Sequence, residues 1–360
     1  MARVLCAMSG GVDSSVTAAL LQQDGHEVIG TTMQIWPPYE EPRDEGGCCS
    51  LSAVEDARRV AQKLDIPFYV MNFQEVFQEK VIDYFIDEYK HARTPNPCIM
   101  CNKEIKFRSL LRKALELDCD YIATGHYARI EYNVDGRHLL YKAVDRSKDQ
   151  AYALYNLTQE QLGHTLFPLG GLEKTETREI AKEMGFLVHD KPDSQEICFV
   201  TDDDYPRFLK EHSPDTVQPG PILDTEGKKL GEHEGLAFYT IGQRKGLGIA
   251  VGRPVYVVEL DPERNAVIVG DDEEVFDKGL VASLTNWIAI PQLDGEMEVS
   301  AQIRYNAEEA EAVIFPYEES RVAVRFKEPQ RAVTPGQAVV FYQGELVIGG
   351  AIIDESRNDL

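Results

Sequence analysis

The first two hundred residues alternate short apolar runs with helical periodicities. Arg3–Met8 reads as a buried strand, a glycine turn follows, and Ser14–Gln23 carries helical spacing. The pattern then predicts a strand over Val28–Ile35, a helix over Ser50–Leu64 and a strand over Phe68–Asn72. Helices over Phe73–Lys90 and Ile105–Leu117 and a strand over Tyr121–Thr124 complete the series. Strand–helix alternation of this kind implies an α/β fold, a doubly wound parallel sheet with helices on both faces. Ligands of such sheets bind beyond the carboxyl ends of the strands. The turn after the first strand, Met33 at the end of the second and Gly125-His126 after the fourth all fall there.

The texture changes near Pro206. Glycine and proline break the chain into short segments, as in Pro219-Gly220-Pro221. Beyond Gly279, period-2 runs recur at Glu298–Tyr305, Glu311–Phe315, Arg321–Phe326, Ala338–Tyr342 and Leu346–Ile353, a barrel-like spacing. Three domains are therefore expected: residues 1–205, a small β-rich linker domain over 206–275, and a C-terminal β-barrel over 276–360. A chain of 360 residues exceeds what one ordinary core supports, which agrees with that division.

Charge and cysteines narrow the chemistry. No run is apolar enough to cross a bilayer, and the apolar run at the N-terminus stops at Ser9-Gly10-Gly11, so a cytoplasmic chain is expected. Seven cysteines, an odd number, argue against a disulfide framework. Cys6 and Cys119 lie in apolar surroundings and read as core residues. Cys48-Cys49, Cys98-x-x-Cys101 and Cys198 lie in turn-rich surroundings. Cys48-Cys49 is read as structural or incidental, with a redox-active pair as the alternative, and a lone CxxC is weak evidence for zinc. The net charge of −24 disfavours nucleic acid as a global partner, because affinity for phosphate backbones comes from Lys and Arg. Locally the balance reverses: Lys90, Arg93, Lys103, Lys106, Arg108, Arg112 and Lys113 stand against Glu104 alone.

Ser9-Gly10-Gly11-Val12-Asp13-Ser14-Ser15 joins the first strand to the first helix. Two glycines let backbone N–H groups approach an anion, and the helix start adds partial positive charge, so a phosphate is the natural occupant. Asp13 is placed to hold a magnesium ion on those phosphates. A Gly-Lys-Ser/Thr phosphate loop is missing, and Gly246-x-Gly248 with Gly252 lacks dinucleotide spacing. The turn resembles the SGGxDS signature of the ATP pyrophosphatase (PP-loop) superfamily, with its adenine nucleotide alpha hydrolase-like domain. Those enzymes leave AMP on a carbonyl oxygen, which turns a poor leaving group into a good one. The turn alone leaves nitrogen and sulfur as alternative nucleophiles.

Two cysteine segments favour sulfur: Thr94-Pro95-Asn96-Pro97-Cys98-Ile99-Met100-Cys101-Asn102-Lys103 and Asp193-Ser194-Gln195-Glu196-Ile197-Cys198-Phe199. Prolines are expected to hold the first pair of thiols in a stiff loop clear of regular structure, with Lys103, Lys106 and a downstream helix start favouring thiolate. With Gly125-His126-Tyr127-Ala128-Arg129, Lys148-Asp149-Gln150, Phe238-Tyr239-Thr240-Ile241-Gly242-Gln243-Arg244, Ile303-Arg304-Tyr305 and Pro335-Gly336-Gln337, these segments make nearly the whole chain resemble the tRNA-specific 2-thiouridylases.

That resemblance implies a uridine 2-sulfurtransferase acting on the anticodon wobble base with MgATP. It implies a persulfide on Cys198, filled by a sulfur-relay or cysteine desulfurase protein, and Cys101 as the catalytic thiol, with a transient Cys101–Cys198 disulfide. It places ATP against Ala7, Met8, Ser9, Gly10, Gly11, Val12, Asp13, Ser14, Met33 and Gly125. The target base falls to Asn96, Pro97 and Cys98. Contacts to the rest of the tRNA fall to His126, Lys148, Asp149, Gln150, Arg304, Tyr305 and Gln337, with Tyr127 and Arg129 as supporting groups. A monomer is expected. Cys98 stands where many members carry Asp, and three thiols leave open a second route, a [4Fe–4S] cluster on Cys98, Cys101 and Cys198 delivering hydrosulfide. A nitrogen-transferring PP-loop ligase and a catalytically idle tRNA-binding protein are the rival readings.

Overall fold

The structure is a computed structural model that describes residues 1–35, 51–193, 197–200, 204–214, 217–318 and 320–360. The described chain forms two units: Met1–Ile82 with Pro97–Asp203 and Glu345–Val347, and Asp83–Asn96 with Asp204–Gly344 and Ile348–Leu360.

In the first unit, β1 (Arg3–Ala7), β2 (Glu27–Gln34), β3 (Phe68–Asn72) and β4 (Tyr121–Ala123) pair in parallel. With β7 (Thr165–Leu166) beside β4, the order among described residues is β3-β2-β1-β4-β7. Strand order reverses at β1, so the crevice beyond the ends of β1 and β4 is the topological switch point where such sheets take ligands. Alternation along β1 explains its apolar run. Val4 and Cys6 join the core with Val12 and Val16 of α1 (Val12–Gln23) and Ala57 and Val60 of α2 (Leu51–Lys63), while Leu5 points the other way and is equally buried. Both faces of the sheet are thus covered, as the alternating sequence predicted.

The helix expected over Phe73–Lys90 is a helical run with a π segment at Gln78–Ile82, between Gln74–Phe77 and Asp83–Lys90. Periodicity alone does not reveal a single inserted residue in a turn. An antiparallel hairpin of β5 (Ala128–Tyr132) and β6 (His138–Lys142), turning through Gly136 at φ +79°, was not foreseen, and Tyr141 pairs with Leu346.

In the second unit, β8 (Gly220–Asp224), β9 (Lys229–His233), β10 (Tyr256–Asp261) and β11 (Ala266–Gly270) form a sheet of order β10-β11-β8-β9. Ile222, Val257, Val267 and Val269 fill its core with Leu236 and Tyr239. Beyond it, β12 (Phe276–Trp287), β13 (Met297–Gln302), β14 (Ala310–Tyr317), β15 (Arg321–Arg331), β16 (Ala338–Gln343) and β17 (Leu346–Arg357) run in the order β12-β15-β14-β13-β16-β17. Pairing of β12 with β17 closes them into a barrel, which removes the free sheet edges that short alternating strands would otherwise expose. The β-rich linker and terminal barrel read from the sequence are both present.

Candidate active site

The turn after β1 is held open by its packing. Met8 N–H donates to the Thr31 carbonyl at 2.7 Å, and Thr32 Oγ1 donates to the Met8 carbonyl at 2.6 Å. Gly10 has φ +71°, and a Cβ there would lie 2.2 Å from the Ala53 carbonyl oxygen of α2, so only glycine fits. Ser14 Oγ accepts from Ser9 N–H at 3.1 Å and donates to the Gly11 carbonyl at 3.2 Å. From the end of β4, Gly125 comes so close that a Cβ would sit 2.9 Å from Ser14 N. The residues expected to meet ATP, Ala7 to Ser14 and Gly125, therefore surround one helix start at the switch point, with Met33 half-buried at the end of the neighbouring β2.

Beneath this turn lies a network of paired charges. Lys174 Nζ, in helix Lys174–Glu183, is 2.7 Å from both oxygens of Asp13 and 2.8 Å from Asp193. Tyr127 Oη donates to Asp13 at 2.9 Å and lies 3.0 Å from Thr177 Oγ1. Lys148 meets Asp193 at 2.8 Å and Arg178 meets it at 3.4 Å. Burial alone would raise the Asp193 carboxyl, but the hydrogen bonds and charges of Lys148 and Lys174 hold it below the ordinary carboxylate range. The Asp13 carboxylate, expected from the sequence to hold magnesium, is spent in this structure on Lys174 and Tyr127.

The cysteine segment departs from the expected loop. Pro97–Met100 is a short helix and Cys101 opens a π segment, Cys101–Ser109, leading into helix Leu110–Glu116. Pro97 is the reason: a proline at the first helical position has no N–H to leave unsatisfied and a φ already suited to a helix, so it starts the helix. Cys98 is exposed and Cys101 half-buried at this helical start. Asn156 Nδ2 bonds to the Ile99 carbonyl at 3.3 Å, and Asn102 Nδ2 bonds to that of Ala153 at 3.0 Å, pinning the turn that carries both thiols.

Cys198 is half-buried, and the next residue, Phe199, packs edge-on against Phe77 with ring centroids 5.9 Å apart. The helix holding Phe77 also packs against the π segment that begins at Cys101. Cys6 and Cys119 are buried, as expected, and burial pushes the Cys6 thiol up to about 12. No disulfide joins the described cysteines. Among the described residues no group of three His, Cys, Asp or Glu side chains is placed to hold a metal ion. Cys48 and Cys49 lie outside the described residues.

The expected tRNA contacts are distributed over both units. In the first, Asp149 accepts from Ala143 N–H at 2.7 Å, just after β6, and Gln150 Oε1 from Tyr127 N–H at 3.0 Å, just before β5, so the two brace the open end of that hairpin. His126 is buried, ring against Phe107 and Phe167, and its Nδ1 lies 2.7 Å from Thr124 Oγ1. In the second, Gln337 Nε2 donates to the Thr94 carbonyl at 2.8 Å and Thr94 N–H to that of Pro335 at 2.9 Å, beside Asn96. Tyr305 is exposed, and Arg304 donates to the Arg331 carbonyl at 3.4 Å. The basic segment is partly neutralised, since Arg93 pairs with Glu88, Arg108 with Glu104, and Arg112 and Lys113 with Glu116.

Sequence reasoning missed Lys174, Arg178, Lys191 and Asp193 as members of this site. The usable signal was Lys191-Pro192-Asp193, charged residues just ahead of a cysteine motif.

Comparison with known proteins adds an independent line. Residues 2–202 match the family model described as tRNA methyl transferase HUP domain, 206–271 the tRNA methyl transferase PRC-barrel domain, and 277–353 the aminomethyltransferase beta-barrel domain. The chain is 62% identical over 357 residues to the tRNA-specific 2-thiouridylase MnmA of Halothermothrix orenii, covering 99% of this chain and 100% of that one. It is 56% identical over 355 residues to the protein of the same name from Clostridioides difficile, covering 98% of each. A solved 4-thiouridine synthetase–RNA complex with bound ATP is 19% identical, covers 59% of this chain and 51% of that one, and superposes with a TM-score of 0.36, too slight a likeness to bear on function.

Proposed function

The chain belongs to the tRNA-specific 2-thiouridylase family and is a tRNA sulfurtransferase, and we propose that it uses MgATP to adenylate the 2-oxygen of the anticodon wobble uridine before replacing that oxygen with sulfur. One observation carries the proposal. Asp193, which precedes Cys198 in sequence, is tied through Lys174 to Asp13 in the phosphate turn, and this supports a sulfur-bearing segment that works beside the nucleotide site.

In the first step the uridine 2-oxygen attacks the α-phosphorus of ATP and pyrophosphate leaves. The turn's N–H groups and the start of α1 stabilise charge on the phosphates without needing to reorganise. In the second, the Cys101 thiolate attacks the inner sulfur of a Cys198 persulfide, forming the Cys101–Cys198 disulfide and releasing hydrosulfide. Hydrosulfide attacks C2, and AMP departs with the former 2-oxygen. A thiol reductant then restores both cysteines. The sulfur donor is a persulfide-carrying relay or desulfurase protein. A wobble base in a loop is unstacked at small cost, and Asn96, Pro97 and Cys98 are the residues proposed to receive it. Lys148, Asp149, Gln150, Arg304, Tyr305 and Gln337 are proposed to meet the rest of the tRNA. His126 joins them only as a buried positioning group. The domains proposed to divide these tasks are 1–205 for ATP and chemistry, 206–275 for tRNA, and the barrel 276–360.

The test supplies purified chain with tRNA, MgATP and either sulfide or ammonium, and follows AMP, pyrophosphate and the modified base by mass spectrometry. Sulfur incorporation at the wobble uridine with stoichiometric AMP is expected. Nitrogen incorporation, or AMP release that does not need tRNA, would remove the reading.

A further inference from the structure

The adenylation step expels pyrophosphate, and the leaving group gathers negative charge that the turn's neutral N–H groups only partly meet. A side-chain cation at the turn would meet more of that charge, and four basic residues stand near it. Lys174 is exhausted: its three N–H groups are matched by two Asp13 oxygens and one of Asp193, and its side chain is 10% exposed. Arg178 is turned to the carbonyls of His189 and Lys191 and to Asp193. Lys148 sits on Asp193.

Lys191 differs. Its Nζ donates to the carbonyl of Gly10, inside the turn, at 3.1 Å, and to Asp56 of α2 at 3.0 Å. An ammonium has three N–H groups, so one remains for a ligand, and the side chain is 37% exposed. Its backbone is anchored too, because Lys191 N–H donates to the Val188 carbonyl and Arg178 donates to the Lys191 carbonyl. The ammonium is therefore fixed at the phosphate turn while still open to solvent.

We propose that Lys191 is a nucleotide-binding residue that takes the β- and γ-phosphates of ATP and the pyrophosphate they become. This rests on the ATP-dependent reading above and adds to it a specific ligand group. Asp56 and the Gly10 carbonyl hold the ammonium in position for the polyphosphate.

The experiment measures binding of ATP, pyrophosphate and AMP to the full chain by calorimetry, for the wild type, Lys191→Ala and Lys191→Arg. AMP has no β-phosphate and serves as the internal control. A lost charge-assisted bond is expected to weaken ATP and pyrophosphate by about thirtyfold in Lys191→Ala while AMP changes less than about twofold. Lys191→Arg keeps the charge and restores most of the ATP affinity. Equal weakening of ATP and AMP would show a merely structural lysine and overturn the proposal, as would unchanged ATP affinity. Should the wild type bind no ATP at all, the adenylation reading itself falls with it.

Discussion

Lys174 Nζ sits 2.7 Å from each carboxylate oxygen of Asp13, so a residue of a late helix neutralises the acid of the phosphate turn. The same ammonium holds Asp193, and without it two carboxylates would face each other across one site. Removing one partner of a buried ion pair costs roughly 3–5 kcal/mol; with Asp13 and Asp193 about a quarter exposed, Lys174→Met is expected to cost about 2–3 kcal/mol. Urea unfolding checks this. The Asp13→Asn, Lys174→Met double variant should recover part of the loss, and a coupling indistinguishable from zero would show the contact to be idle.

Gly10 and Gly25 both have positive φ, +71° and +81°, yet they predict different outcomes. A methyl at Gly25 meets nothing within 4 Å, so Gly25→Ala should cost only the left-handed backbone penalty of about 1–2 kcal/mol. A methyl at Gly10 meets the backbone of Ala53, which cannot move without shifting α2. Gly10→Ala is expected to lose about 3 kcal/mol or more and, with it, ATP binding. Equal melting temperatures for the two variants would contradict the close approach of α2 to the turn.

The doubly wound sheet and the barrel were legible because their patterns are long and repeated. Buried strands separated by helical spacing in the first half, and period-2 strands with turn signals in the second, each point to one architecture. The phosphate turn was legible for a different reason: Gly10 is required by its positive φ and by the close approach of the Ala53 backbone, and that requirement shows in the sequence. The helical start at Pro97 was not, because the same proline that marks a loop also suits a first helical turn. Lys174 and Lys191 were hidden because their partners, Asp13 and Gly10, lie more than 160 residues away in sequence, and no local pattern encodes such a pairing.

Cys101 and Cys198 are expected to act after adenylation. Cys101→Ser and Cys198→Ser should each abolish 2-thiouridine formation, by about a thousandfold or more, while tRNA-dependent pyrophosphate release persists in a single turnover. The double variant should be no worse than either single one, since each already removes the same step. Wild-type rates of sulfur incorporation in either single variant would transfer the role to another thiol, Cys98 first.

His126 gives a prediction in pH. Its ring is buried between Phe107 and Phe167, with Lys106 Nζ 3.5 Å from Nε2. Burial, and then the Lys106 charge, push its pKa well below 6.5, so the folded ring stays neutral where the unfolded one takes a proton. With Lys106 facing Nε2, that nitrogen accepts and Nδ1–H donates to Thr124. A base with a depressed folded pKa contributes stability that is complete above pH 6.5 and is lost as pH falls below it, because the unfolded state then binds the extra proton. Between pH 6 and 5 the wild type should therefore lose up to about 1.4 kcal/mol per pH unit through this one group. His126→Asn removes the titration, and its stability should fall less steeply by close to one proton over the same range. Other histidines contribute equally to both proteins and cancel in the difference. Parallel stability curves for the two, measured by urea unfolding from pH 8 to 5, would mean that the ring is protonated in the folded chain and that the core around Phe107 admits its charge.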